Sequence, residues 1–273
     1  MNDALSNRMK RYENVNRNYL TPRTYTIIRV DGKAFHTFTK KFKRPFDEDL
    51  VNMMDMTALY LAKKVQGCKL AYVQSDEISL VLTDFDDLNT SAWFDGNIQK
   101  IVSVSASMAT AEFNRYLLMN YVQSGKVLID ALTATEIYSM NFAEFDSRTY
   151  TIPTKTEVIN YLVWRQKDAT RNSIAMVAQS LCSVSELKNK NGDQQQELIF
   201  QKGQNWNDYD DGLKRGRVIM RVAEHIPVNF YAPPKPLVGE DVEPPMRMKW
   251  RVVNPPIFTQ ECEFLSNLIL ENQ

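Results

Sequence analysis

YVQSDEISLVL, residues 72–82, sets two adjacent carboxylates, Asp76 and Glu77, between two runs of burial-prone residues. KLAYVQ and ISLVLTD read as short strands, and SDE between them fits a tight hairpin. Upstream, TYTIIRV (24–30) is rich in β-branched residues and reads as a strand that ends at Asp31-Gly32. KAFHTFTKKFKRP is then a basic, aromatic loop, and Pro45 with Asp47, Glu48 and Asp49 marks a helix start. That helix continues through LVNMMDMTALYLAKKVQG, with Gly67 as its C′ stop. Downstream of an acidic loop, DFDDLNT, apolar residues from Ile98 to Tyr121 recur at helical spacing. The small residues of SVSASMATA let that helix lie close against a sheet. FDSRTYTIP (145–153) reads as another strand.

Residues 3–17 suit a short polar helix. Thereafter the order is strand, helix, hairpin, helix, strand, the split βαβ pattern of ferredoxin-like folds. The expected class is α+β, an antiparallel sheet with helices on one face, over residues 1–153. In that topology the end of the first strand lies beside the hairpin tip, so Asp31 meets Asp76.

Residues 154–273 read as a helical C-terminal region with an extended arm, either a second unit or continuous with the first. Thr154 and Glu157 fit a capping box. The helix they open, TEVINYLVWRQKDATRNSIAMVAQSL, is expected to break near Asp168. NKNGDQQQ reads as a polar loop, ELIFQKGQNWNDY as helical and RVIMRVA (217–223) as a strand. Eight of the eleven prolines follow residue 226, in stretches such as YAPPKPLVGEDVEPP, which predicts an extended arm. FTQECEFLSNLILENQ returns to helical patterning.

The totals narrow the function. At 273 residues, with 33 basic and 33 acidic side chains, the chain has a large core and no net charge. Positive charge for a polyanion would have to be gathered locally. Three separated cysteines give neither a disulfide framework nor a zinc motif, which fits a reducing cytoplasm. The polar start lacks a signal-peptide core, and no apolar run reaches the roughly 18 residues of a membrane span. With only two histidines, His36 and His225, a histidine-based metal site or hydrolytic triad is not expected.

Two carboxylates at neighbouring turns make a poor core and a good divalent-cation site. Two Mg²⁺ ions roughly 4 Å apart can clamp the attacking and leaving oxygens of a phosphoryl displacement. Gly32 leaves its backbone carbonyl open to such an ion. Lys33, Lys40, Lys41, Lys43 and Arg44 follow in a loop suited to phosphates. Each feature also has a plain structural reading: Asp-Gly as a turn, SDE as a solvated tip, His36 as a loop residue, Asp47 as a cap, and Asp84, Asp86 and Asp87 as a solvated loop. The conjunction of Asp31 and Asp76 in this topology is what favours the metal site.

RVDGKAFHTF, RPFDEDL, YVQSDEISLVL, FDSRTYTIPT and YLVWRQKDATRNS occur in that order. Together they resemble the tRNA-His guanylyltransferase superfamily of 3′-to-5′ nucleic-acid polymerases, over roughly residues 24–182. The resemblance implies a polymerase-like palm. The family's metal ligands fall on Asp31, the Gly32 carbonyl and Asp76, which also makes these aspartates the catalytic pair. It places nucleotide contacts on Arg29, Lys33, Ala34, Phe35, His36, Asp47, Ser75, Glu77, Lys100 and Arg148. Contacts to RNA fall on Arg165, Lys167, Asp168, Arg171 and Asn172. The implied partners are two Mg²⁺ ions, ATP or GTP as activator, nucleoside triphosphates and tRNA, in a homo-oligomer that is a tetramer by resemblance. The eukaryotic pattern has a histidine two residues after the aspartate that follows WRQ; here that residue is Thr170. This looks more like the bacterial, archaeal or phage branch, which repairs 5′-truncated tRNA, than like an enzyme adding the −1 guanosine to tRNA-His. A nucleotide cyclase or 5′-to-3′ polymerase would use the same two aspartates. A non-catalytic RNA-binding protein would gain nothing from carboxylates facing a polyanion.

Overall fold

A computed structural model of the chain describes residues 4–123, 140–225 and 246–269. In chain order its elements are α1 (Ala4–Asn14), β1 (Tyr25–Gly32), α2 (Phe35–Phe38), α3 (Glu48–Lys64), β2 (Cys68–Gln74) and β3 (Glu77–Leu82). Then come α4 (Ile98–Gln123), β4 (Phe145–Ile152), α5 (Lys155–Leu181), α6 (Val184–Leu187), α7 (Gly192–Gln201) and α8 (Asp211–Arg215). β5 (Arg217–His225), β6 (Met246–Val253) and α9 (Cys262–Leu268) complete them.

The first four strands stand in the order β4-β1-β3-β2, each neighbouring pair antiparallel, which is the ferredoxin-like arrangement. α3 and α4 lie on one face, packing Met54, Leu61 and Phe113 with Ile28 and Val30 of β1. The small residues of α4 do bring it close to the sheet: Ser105 Oγ is 2.8 Å from Ser147 Oγ. α3 begins at Asp47, whose carboxylate accepts from the Leu50 N–H. It ends at Lys64, so Gly67 lies in the turn into β2 instead of at C′.

The opposite face is covered too. α5 and α9 pack there on Tyr25, Ile27, Leu70, Tyr72 and Val81. β3 is therefore buried along its whole length, and its polar residues, Glu77 and Ser79, need partners within the protein. β5 pairs with β2 and β6 with β5, widening the sheet to six strands.

Several local expectations change. α5 runs unbroken through Asp168, because Asp168 accepts from Arg165 and Arg171 one turn away on the same helix. Thr154 caps α5, but the Glu157 carboxylate bonds Asn160 rather than closing a capping box. The loop after β1 folds into α2 and a short 3₁₀ turn at Thr39–Lys41. Asn191 caps α7, so five of the eight residues of the expected polar loop, Gly192 to Gln196, are helix. The proline-rich stretch 231–245 lies outside the described residues. No helix among those described is long and apolar enough to cross a membrane.

Gly216 sets how closely β5 approaches β2. Its φ is +80°, and a Cβ there would stand 2.5 Å from the Tyr72 hydroxyl and 2.6 Å from the Val73 carbonyl. Gly216→Ala is expected to cost about 2–4 kcal/mol, from a strained backbone plus overpacking. A urea midpoint unchanged from wild type would show that the backbone here can part from β2 freely.

Candidate active site

The hairpin tip is a two-residue turn, Ser75-Asp76, between the paired Gln74 and Glu77. Ser75 sits at φ 47°, a left-handed conformation that costs a side-chain-bearing residue strain. Opposite it, Asp31 pairs with Glu77, and the Gly32 N–H donates to the Asp76 carbonyl at 3.1 Å. Two aspartates far apart in sequence are thus brought to one end of the sheet. Burial pushes the Asp76 carboxyl above the ordinary carboxylate range. Bonds from the Ser75 hydroxyl and from its own backbone oppose that, while the charges of Asp31 and Glu77 raise it further.

Cations border this acid pair. Arg148 Nη2 is 3.9 Å from Asp31 Oδ2 and bonds Asp146 at 3.1 Å. Asp146 pairs with Asp31 across β4 and β1, a third carboxylate near the centre that sequence reading did not single out. Arg29 approaches Glu77 no closer than 3.9 Å, and its Nε is buried with no hydrogen-bond partner.

Glu77 and Arg165 take different places from those expected. The Glu77 carboxylate is buried and receives two 2.8 Å bonds from Arg165, with Ser79 Oγ at 3.3 Å. Arg165 also bonds Asp168 at 2.8 Å. Its guanidinium, buried and bonded to two carboxylates, belongs to the support of the hairpin and not to an RNA-facing surface.

On one flank lies a pocket of about 460 Å³. Gly32, Ala34, His36, Asp47, Ser75, Asp76 and Asn172 all line it, with Lys43, Arg44 and Arg217. Asp47 spends both carboxylate oxygens on backbone N–H groups, those of Leu50 and Lys43 (3.0 and 2.9 Å), so it shapes the loop that carries Lys43 and Arg44. Phe35 lines the pocket as well, and its buried ring also packs in the core, 5.0–5.6 Å from the rings of Phe38, Phe113 and Phe145. A Cβ on Gly32 would fall 2.2 Å from that ring, so the bare glycine admits Phe35 as well as freeing a carbonyl. Arg217 and the α8 residues Gly212 and Leu213 arrive from more than a hundred residues downstream. Nothing in the reading of RVIMRVA as a strand pointed to them.

Other expected contacts are scattered. Lys33 is exposed and paired with Glu144. Lys100 sits at the start of α4, where Asn97 bridges to Tyr19 and Gly96 accepts from Leu20. Those bonds lie at the end of the sheet remote from Asp31, so the fold does not bring Lys100 to the centre. Lys167 and Arg171 are exposed on α5.

The residues fit a divalent cation. Asp31, Asp76 and the Gly32 carbonyl are hard oxygen donors, and a bound cation would offset both the burial that raises the Asp76 carboxyl and the smaller effect of the Asp31 and Glu77 charges beside it. Among the described residues no group of three or more His, Cys, Asp or Glu side chains converges, so the remaining ligands would have to be phosphate and water.

A ferredoxin-like sheet with two aspartates at adjoining strand ends, beside a basic-rimmed pocket, is the palm of a nucleotidyltransferase. The family model described as "Thg1: tRNAHis guanylyltransferase" matches residues 6–153, and the chain belongs to this family. It is similar to a bacterial tRNA(His) guanylyltransferase (Thg1)-like protein solved in complex with ATP, at 38% identity and a TM-score of 0.79, over 98% of this chain and 99% of that one. The GTP complex of such a protein superimposes with a TM-score of 0.75, also at 38% identity, over 98% of this chain and 100% of that one. Protein R259 of Acanthamoeba polyphaga mimivirus, which is uncharacterized, is 32% identical over 73% of this chain and 70% of its own.

Proposed function

We propose that this nucleotidyltransferase repairs the 5′ ends of truncated tRNA by template-directed 3′-to-5′ addition. The observation that carries this reading is end-to-end similarity to the bacterial Thg1-like protein bound to ATP and to GTP. Thr170, standing where the eukaryotic pattern has histidine, argues in the same direction.

Two displacements make up the reaction. An oxygen of the RNA 5′-monophosphate attacks the α-phosphorus of ATP or GTP, and pyrophosphate leaves. The 3′-hydroxyl of a nucleoside triphosphate then attacks the activated 5′-phosphorus, and the nucleoside monophosphate leaves. The product carries a new 5′-triphosphate. Mg²⁺ at Asp31, the Gly32 carbonyl and Asp76 would supply charge neutralisation for both steps. The residues of the chain position the reactants: the pocket at His36, Lys43, Arg44 and Asn172 suits the activating nucleotide, while Arg148, exposed beside Asp31, suits phosphate oxygens.

The test is a tRNA lacking its first 5′ nucleotide, incubated with ATP, Mg²⁺ and all four triphosphates. Restoration of the template-matched nucleotide is the expected result. Guanosine added at position −1 of intact tRNA-His, with no repair of the truncated substrate, would instead make the protein a dedicated tRNA-His guanylyltransferase. Label appearing at the 3′ end would place it among conventional polymerases.

A further inference from the structure

Trp164 is a large aromatic side chain left in solvent at the catalytic end of the sheet, with 53% of its surface exposed. Isolated exposed aromatics are common and need no explanation. This one differs in being held. The Arg165 guanidinium lies 4.3 Å from its ring centroid, and that guanidinium is tied by two 2.8 Å bonds to Glu77, the neighbour of Asp76. Tyr161, one turn back, packs 5.9 Å from the same ring and 6.2 Å from Tyr150 of β4. Trp164 therefore lies on the β4 side, where Arg148 stands two residues along the strand beside Asp31. Lys167 and Arg171, three and seven residues on, share its helix face and are exposed.

A fixed aromatic followed by cations at helical spacing suits a nucleobase stacked on the ring with phosphates along the cations. We propose that Trp164 is the stacking platform for a nucleobase at the reacting end, on the flank opposite the His36–Asp47 pocket. The proposal rests on the reading of the chain as an enzyme acting on RNA 5′ ends. The base belongs either to the first nucleotide of the RNA or to the incoming triphosphate.

The experiment uses the full chain and two probes: a 5′-monophosphorylated single-stranded oligoribonucleotide beginning with 2-aminopurine, and 2-aminopurine riboside triphosphate. Stacking quenches the fluorescence of either. Wild type is expected to quench one of them, and which one identifies the source of the base. Trp164→Leu, which keeps apolar bulk without a π face, is expected to abolish the quenching and weaken binding about 5- to 100-fold. Trp164→Phe keeps a ring and is expected to retain most of both. Unchanged binding and quenching in Trp164→Leu, with wild-type binding intact, overturns the stacking role and leaves the functional reading standing. If wild type binds neither probe, both fall.

Discussion

Asp76→Asn is expected to lose nucleotidyl transfer by at least about 10³-fold and yet to melt at a higher temperature than wild type. The two effects share one cause. Folding buries the Asp76 carboxyl close to Asp31 and Glu77, and burial, reinforced by those charges, raises its pKa. An acid whose folded pKa lies above its unfolded one destabilises the fold when ionised. That cost is absent below the unfolded carboxylate range. It grows as pH rises through the folded value and is fully present at neutral pH. In the presence of chelator, the variant's advantage in melting temperature should therefore be greatest near pH 7 and fade on acidification. Mg²⁺ should stabilise wild type in a concentration-dependent way and the variant much less. A variant that keeps turnover, or that gains as much from Mg²⁺ as wild type does, would remove Asp76 from the metal site.

The parts of this fold that read clearly from sequence are those where one local signal dominates. β1, β2, β3 and β4 are β-branched or alternating runs closed by turn residues, and their order alone implies the topology that joins Asp31 to Asp76. β6, MRMKWRVV, carries no such signal: three of its eight residues are cationic, and all eight are exposed or half-buried, as suits a charged edge strand. Arg165 and Lys167 look alike in WRQKD, yet one is buried and the other exposed. The difference is helical phase: Val158, Tyr161, Leu162, Ala169 and Ser173 form the buried stripe of α5, and Arg165 falls inside it while Lys167 does not. That phase was legible. The partner was not, because nothing near Arg165 in the chain announces that Glu77 lies opposite. Arg217 shows the same limit: its buried bond to Asp55 and its place in the pocket follow from contacts across the sheet edge.

Removing Arg165 is expected to be the most destabilising single change at the site. Arg165→Ala leaves the Glu77 carboxylate buried with Ser79 and Gln74 in hydrogen-bond reach, the latter at 3.4 Å, and Arg29 no closer than 3.9 Å. Breaking a buried pair from one side costs about 3–5 kcal/mol, and here the remaining carboxylate is left without water and with only the longer contact to Arg29 as counter-charge. The damage should reach catalysis, since Glu77 adjoins Asp76 in the hairpin and faces Asp31 in the register. Neutralising both partners separates the loss of the pair from the loss of arginine itself. Arg165→Met with Glu77→Gln removes both charges, so the double variant should recover most of the stability lost by Arg165→Ala, as read from denaturant midpoints. An RNA-contacting Arg165 would behave in the opposite way: its alanine variant would fold as well as wild type, bind RNA with a shallower salt dependence, and gain nothing from a change at Glu77. The buried geometry, two bonds to Glu77 and one to Asp168, predicts the first pattern, in which α5 braces the hairpin that carries Asp76.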